Sequence, residues 1–321
     1  MTQVQETTWK GAQAFVLTGA AVSVTVLPEH GARIVSLVYL PTGRELLWSP
    51  DDLTVLPTPM YAMPYADHPA VGIDECVPTI WADTFAGIPL PDHGEVWSVP
   101  WGVNATNDLI ETSVGLRRTP FLFRRRLSLT EPATVRLDYT LTNHRDRPHP
   151  ALWALHPLMR WRPGMRITLP PSVTTLEVGS VDGTSPLTPY TPDASWPTYR
   201  GLDLAQAQLN TDGAPASTKL YAGPLTEGWA VLEDPANGFS ARFDYPPDLC
   251  RYLGLWLNRG EWGGYTHVAL EPATGITEFL SQATARDAVL TVPAGGTATW
   301  YVTITLDVAH PTPRPPLPCA S

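Results

Sequence analysis

The stretch Trp300-Tyr301-Val302-Thr303-Ile304-Thr305-Leu306-Asp307-Val308 decides the fold class. Trp300, Val302, Ile304, Leu306 and Val308 fall on one side of an extended chain, and Tyr301, Thr303, Thr305 and Asp307 on the other. Such alternation predicts a half-buried β-strand, because successive side chains on a strand point to opposite faces. The same period recurs far upstream. Leu137, Tyr139 and Leu141 alternate with Arg136, Asp138 and Thr140, and Val22, Val24 and Val26 alternate with Ser23 and Thr25. Turn signals separate these runs: Pro28-Glu29-His30-Gly31, Pro41-Thr42-Gly43 and Pro293-Ala294-Gly295-Gly296. The best helix candidate is short, Thr277 to Arg286. The pattern predicts an all-β domain of many strands, a sandwich or a barrel.

Composition narrows the function. The 321 residues include 35 prolines, which suit turns and edge strands better than long helices. The 12 tryptophans suit a large β core or a sugar-binding cleft, since an indole face packs on the C–H face of a pyranose. With 31 acidic against 21 basic residues the net charge is -10, which disfavours nucleic acid as a partner. The sequence contains no long uncharged apolar run, so no membrane span is expected. Cys76, Cys250 and Cys319 form no CxxC pair, and Thr2 to Glu6 carries no basic leader, so a reducing, cytoplasmic setting is predicted. The expected organisation is one domain over 1–310, as a monomer or homodimer, with a proline-rich tail over 311–321. The Thr-, Pro-, Asp- and Gly-rich stretch Ser180 to Ala216 reads as a long loop or insertion.

The nucleotide, zinc-protease and nucleophile-elbow fingerprints are missing, so no cofactor is expected. His144, His149 and His156 stand at spacings unlike those of metal ligands, so no metal site is expected either. Arg124, Arg125 and Arg126 read as a solvated strand face.

Four segments carry a resemblance. They are Gly31-Ala32-Arg33-Ile34-Val35-Ser36-Leu37 with Thr42-Gly43-Arg44-Glu45; Gly72-Ile73-Asp74-Glu75-Cys76-Val77-Pro78 with Pro91-Asp92-His93-Gly94; Ala151-Leu152-Trp153-Ala154-Leu155-His156-Pro157; and His267-Val268-Ala269-Leu270-Glu271-Pro272. This ordered set resembles the aldose 1-epimerase, or galactose mutarotase-like, superfamily from about residue 20 to about residue 308. The resemblance implies a β-supersandwich of two large antiparallel sheets. It also implies interconversion of sugar anomers without cofactor or metal. Glu271, His156 and His93 match the family's catalytic glutamate and two histidines. A further site aspartate is implied, for which Asp203, Asp234 and Asp244 are candidates. The run after His93 departs from the sugar-phosphate branch, with Glu95 and Trp97 where an arginine is expected, so the sugar is expected to be neutral.

Mutarotation opens a hemiacetal ring and recloses it. A base takes the anomeric proton, an acid protonates the ring oxygen, and the roles then reverse. On a strand Glu271 shares a face with Tyr265, His267 and Ala269, which aims it at a cleft, and Pro272 is expected to end the strand. Glu271 is the base candidate, His156 the acid, and His93 a rim residue in a Pro-Asp-His-Gly turn. Asp74, Glu75, Trp97, Trp153, Trp256 and His267 are candidates for binding the sugar. Each has a plainer reading: a solvated strand-end carboxylate for Glu271, a hydrogen-bonded core histidine for His156, a turn histidine on Asp92 for His93, turn caps for Asp74 and Glu75, and core packing for the tryptophans. The competing functions are a non-catalytic carbohydrate-binding protein, and a glycoside hydrolase or lyase pairing Glu271 with Asp74 or Glu75.

Overall fold

The computed structural model describes residues 2–181, 191–206 and 215–307. The expected tail lies outside these residues, as does Val308. Among the described residues the chain is all-β: one sheet has 15 strands and a second has eight. No helix among them is long and apolar enough to cross a membrane.

Ten strands of the larger sheet position the site. In chain order they are β1 (Gln3–Trp9), β2 (Ala12–Thr18), β3 (Val22–Leu27), β4 (Arg33–Tyr39), β5 (Ile73–Cys76), β6 (Ala154–Pro157), β7 (Thr175–Val181), β8 (Ala216–Ala222), β9 (Tyr252–Arg259) and β10 (Thr266–Ala273). Their spatial order is β1-β2-β3-β4-β5-β6-β10-β9-β8-β7, and every pairing between neighbours is antiparallel. The second sheet is built around Phe121–Glu131, Thr134–Asn143 and Thr297–Asp307. Its Phe123, Leu137, Val302 and Ile304 share one buried cluster with Val24, Leu37, Ile73, Leu155, Leu255 and Leu270 of the larger sheet. That cluster is the filling of a sandwich, and its alternate residues are those the strand period places inward.

Three local expectations change. β10 runs through Pro272 to Ala273 instead of ending. Pro272 pairs with Leu253 on β9, and its missing N–H faces the β6 side, where the ladder is sparse. The helix covers only Leu280–Ala285, because Thr277 takes a left-handed φ of 79° and Phe279 is extended. The stretch 180–216 is not only loop: Thr191–Ser195, Thr198–Tyr199 and Leu202–Asp203 extend the larger sheet beyond β7. Residues 182–190 and 207–214 of that stretch lie outside the described residues.

Arg125 corrects the reading of the arginine run. Its neighbours Arg124 and Arg126 are exposed, but Arg125 points between the sheets and pairs with Glu75 at 2.9 Å. Tyr139 and the Trp153 indole also donate to Glu75, at 2.9 Å and 2.8 Å. A buried charge needs such partners, and here a cation and two neutral donors serve one carboxylate.

Candidate active site

On the face of the larger sheet turned away from the second sheet, one cross-strand row gathers the chemistry. β5 pairs Asp74 with His156 of β6. The bridges Ala154–Ala273 and Met159–Val268 keep one register, which sets His156 across from Glu271 of β10. Glu271 in turn pairs with Gly254 of β9, and Gly254 with Tyr221 of β8. His156 Nε2 lies 3.7 Å from Glu271 Oε1, and that carboxylate oxygen has no hydrogen-bond partner. The other oxygen, Oε2, accepts from Lys219. Lys219 also lies 3.4 Å from Glu278, which accepts from the Tyr221 hydroxyl at 2.5 Å.

Burial sets the protonation states. It pushes the Glu271 carboxyl above its ordinary value, and the Lys219 ammonium partly opposes this. Burial alone would lower Lys219, but the Glu271 and Glu278 carboxylates override it and hold the lysine above its usual range. His156 is driven well below its ordinary value by burial, reinforced by His93 and Lys219, so its ring is neutral near pH 7.

His93 reaches the same place from a loop. It takes a φ of 57° ahead of Gly94 at 79°, and a Cβ on Gly94 would stand 2.2 Å from the Val77 carbonyl oxygen. The Pro-Asp-His-Gly turn therefore needs its glycine to bring the chain against Val77. The His93 ring stacks on Tyr65 at 3.8 Å between centroids and meets the His156 ring edge-on at 5.3 Å. Its Nδ1 bonds Asp92 at 2.8 Å, which leaves Nε2 to meet a ligand. Burial would raise Asp92, but the hydrogen bond and charge of His93 hold it below its ordinary value. Tyr65 is itself clamped, its N–H donating to Asp92 and its hydroxyl to Asp74, both at 2.8 Å.

These groups open onto a cleft of about 380 Å³. His93, His156, Lys219 and Glu278 line it near the row, and Trp81, Trp256, Trp262, Tyr265 and His267 wall the rest. Several expected residues stand elsewhere. Glu271 is on the cleft face but only 1% exposed; the cleft is lined by its neighbours His156 and Lys219 and not by Glu271 itself. Asp74 does not line the cleft; it is spent on Arg33 at 2.6 Å and on Tyr65. Glu75 is corrected outright, because adjacent strand residues face opposite ways and it belongs to the inter-sheet core. Trp153 packs in that core, and Trp97 is wholly buried beneath Tyr65 and His68 with its indole donating to the Asp92 carbonyl. Trp256 and His267 do line the cleft. Asp203, Asp234 and Asp244 do not: they bond Gln206, Arg44 and Arg242 respectively.

Sequence reasoning missed Lys219, Glu278 and Tyr65. A signal existed for the first, since Lys10 and Lys219 are the only lysines in the sequence; the strand that carries Lys219, Ala216–Ala222, proves wholly buried. Among the described residues no cluster of three or more histidine, cysteine, aspartate and glutamate side chains could hold a metal ion.

No protein-family model matches the chain, and no curated protein matches it in sequence. Solved structures do match in shape. A galactose mutarotase-like protein from Clostridium acetobutylicum aligns with a TM-score of 0.70 at 13% identity, over 96% of this chain and 99% of that one. A galactose mutarotase related enzyme from Lactobacillus acidophilus aligns at 0.66 and 16% identity, over 92% of this chain and 100% of that one. A galactose mutarotase-like protein from Lactobacillus casei aligns at 0.62 and 17% identity, over 91% and 99%. Two antiparallel sheets, their extent and these alignments agree: the chain has the galactose mutarotase-like fold.

Proposed function

We propose that the protein is an aldose 1-epimerase-like isomerase that interconverts the anomers of a neutral sugar. One observation carries this reading: Glu271 lies across from His156, with an unpartnered carboxylate oxygen 3.7 Å from the imidazole and His93 against the same ring. Glu271 Oε1 accepts the anomeric hydroxyl proton as the bond from C1 to the ring oxygen breaks. An imidazole gives that oxygen a proton, and C1 becomes an aldehyde. Rotation about C1–C2 and reversal of both transfers close the other anomer, so the proton count is unchanged. In place of His156, the acid candidate read from the sequence, we assign this proton to His93, whose Nδ1 is held by the Asp92 carboxylate and whose Nε2 is left to meet the sugar, while His156, kept neutral by burial, directs the anomeric end toward Glu271.

A second reading is carbohydrate binding without turnover. It is favoured by the Lys219 ion pair, which covers Glu271 and occupies one of its oxygens. Saturation-transfer NMR on a panel of neutral aldoses separates the two. Exchange faster than buffer, lost in Glu271→Gln, supports the isomerase; binding by line broadening with no exchange on any sugar overturns it in favour of the second reading.

A further inference from the structure

We infer that the cleft is built for a reducing disaccharide, its second ring held on an aromatic sub-site formed by Trp256, Trp262 and Tyr265 beside His267. The placing of the reducing ring rests on the ring-opening reading above; the sub-site is argued from geometry alone.

Length comes first. Glu271 and His267 stand four residues apart on β10, which is about 13 Å along a strand. His156 and Lys219, beside the buried Glu271, line the cleft at one end and His267 lines it at the other, and a single pyranose is shorter than the strand length between them. His156 lies 3.7 Å from Glu271 and His93 stacks edge-on against His156, so the proton-transfer groups cluster at that one end.

The other end is walled and rigid. The Trp256 and Trp262 rings lie 6.1 Å apart at 61°, and Tyr265 leans on Trp48 at 5.3 Å. Trp262 sits in the turn after β9, yet three bonds fix it. Its N–H donates to Asn258 Oδ1 at 3.1 Å, its carbonyl accepts from Asn258 Nδ2 at 3.0 Å, and its indole donates to Ser217 at 3.2 Å. Asn258 is fully buried, so the indole is held in place before any ligand arrives.

A directed polar group completes the sub-site. His267 is 3% exposed, lines the cleft, and has no hydrogen-bond partner for Nδ1. Its Nε2 is 3.3 Å from Asn258 Nδ2, which orients the ring. A buried polar atom without a partner is costly, and a ligand hydroxyl would satisfy it. Burial holds His267 at a pKa of about 4, so near pH 7 the ring is neutral and suits a hydroxyl rather than an anion. Indole and phenol faces for C–H surfaces, with one neutral directional nitrogen, are what a second sugar ring requires. Ring opening needs a free anomeric hydroxyl at the Glu271 end, so the second ring must be linked through another hydroxyl of the reducing sugar.

Calorimetric titration with glucose, galactose, maltose, cellobiose and lactose tests this, with anomer exchange followed on the same sugars. At least one disaccharide should bind about tenfold tighter than its reducing monosaccharide. In Trp262→Ala that ratio should fall to about one, and Trp262→Phe, which keeps a ring in the folded wall, should recover part of it. Disaccharides binding no tighter than monosaccharides, or a ratio that persists in Trp262→Ala, overturns the sub-site whether or not the sugars exchange. A disaccharide advantage lost in Trp262→Ala, but without exchange on any sugar, supports the sub-site and overturns the isomerase reading. No binding of any sugar overturns both.

Discussion

Lys219 and Glu271 form an ion pair whose side chains are only 5% and 1% exposed. The lysine also faces Glu278 at 3.4 Å, so one cation serves two carboxylates in the wall of the cleft. Lys219→Met removes the charge that opposes the burial of Glu271, and its carboxyl pKa rises further. The ionised base then disappears at a higher pH. The acid limb of anomer exchange should move upward and activity near neutral pH should fall about tenfold or more. Lys219→Arg should keep the limb near its original place. Breaking the pair also costs about 3–5 kcal/mol, so denaturant titration must accompany the pH–rate profile. An unmoved acid limb in folded Lys219→Met would show that the lysine does not govern the base.

Gly254 makes room for the same carboxylate. A Cβ there would stand 2.9 Å from Glu271 Oε2 and 3.2 Å from Glu271 Cβ. Gly254→Ala should push the Glu271 side chain off its place across from His156. Overpacking of this kind costs about 1–3 kcal/mol. The expected outcome is a stable protein whose exchange rate drops more than its sugar affinity, read by comparing saturation transfer with calorimetry.

The strand period was readable because it depends on neighbours one and two residues away. It put His267 and Glu271 on one face, and Val268 and Leu270 in the core, where they are. The same rule, applied to Asp74 and Glu75, forbids both from facing the cleft; Asp74 takes the outer face and Glu75 the inner. What the period cannot supply is the partner. Arg33 meets Asp74 across 41 residues, Arg125 meets Glu75 across 50, and Lys219 meets Glu271 across 52. Each pairing is set by sheet order, which depends on which strands neighbour one another in space. Trp97 illustrates the same limit, since an indole that caps the Asp92 carbonyl looks in sequence like one that stacks on a sugar.

The Glu75–Arg125 pair should act on stability and not on the chemistry. Arg125 is 1% exposed and its partner carboxylate also holds Tyr139 and Trp153. Arg125→Met leaves Glu75 as a buried charge without a cation and should cost about 3–5 kcal/mol in urea denaturation. The double variant Arg125→Met with Glu75→Gln should lose less than the two single losses added together, because the second change removes the stranded charge. Strict additivity would mean that the two side chains do not act as a pair.

His30 gives stability a pH dependence of known sign. It is 2% exposed, and its ring is buried beside Arg33, His68 and the Leu56 backbone. Burial, with Arg33 and His68 nearby, lowers its pKa from 6.5 to about 4. Between these values the unfolded chain binds a proton that the folded chain refuses, so stability falls as pH drops through 6.5 and the loss levels off near 4. For one such group the full loss is about 3 kcal/mol. His30→Leu removes this contribution along with the buried imidazole. Urea titrations between pH 7.5 and pH 4.5 should therefore show the variant gaining on the wild type as the medium becomes more acid; a difference that stays constant across that window would mean that His30 takes up its proton in the folded state as readily as in the unfolded one.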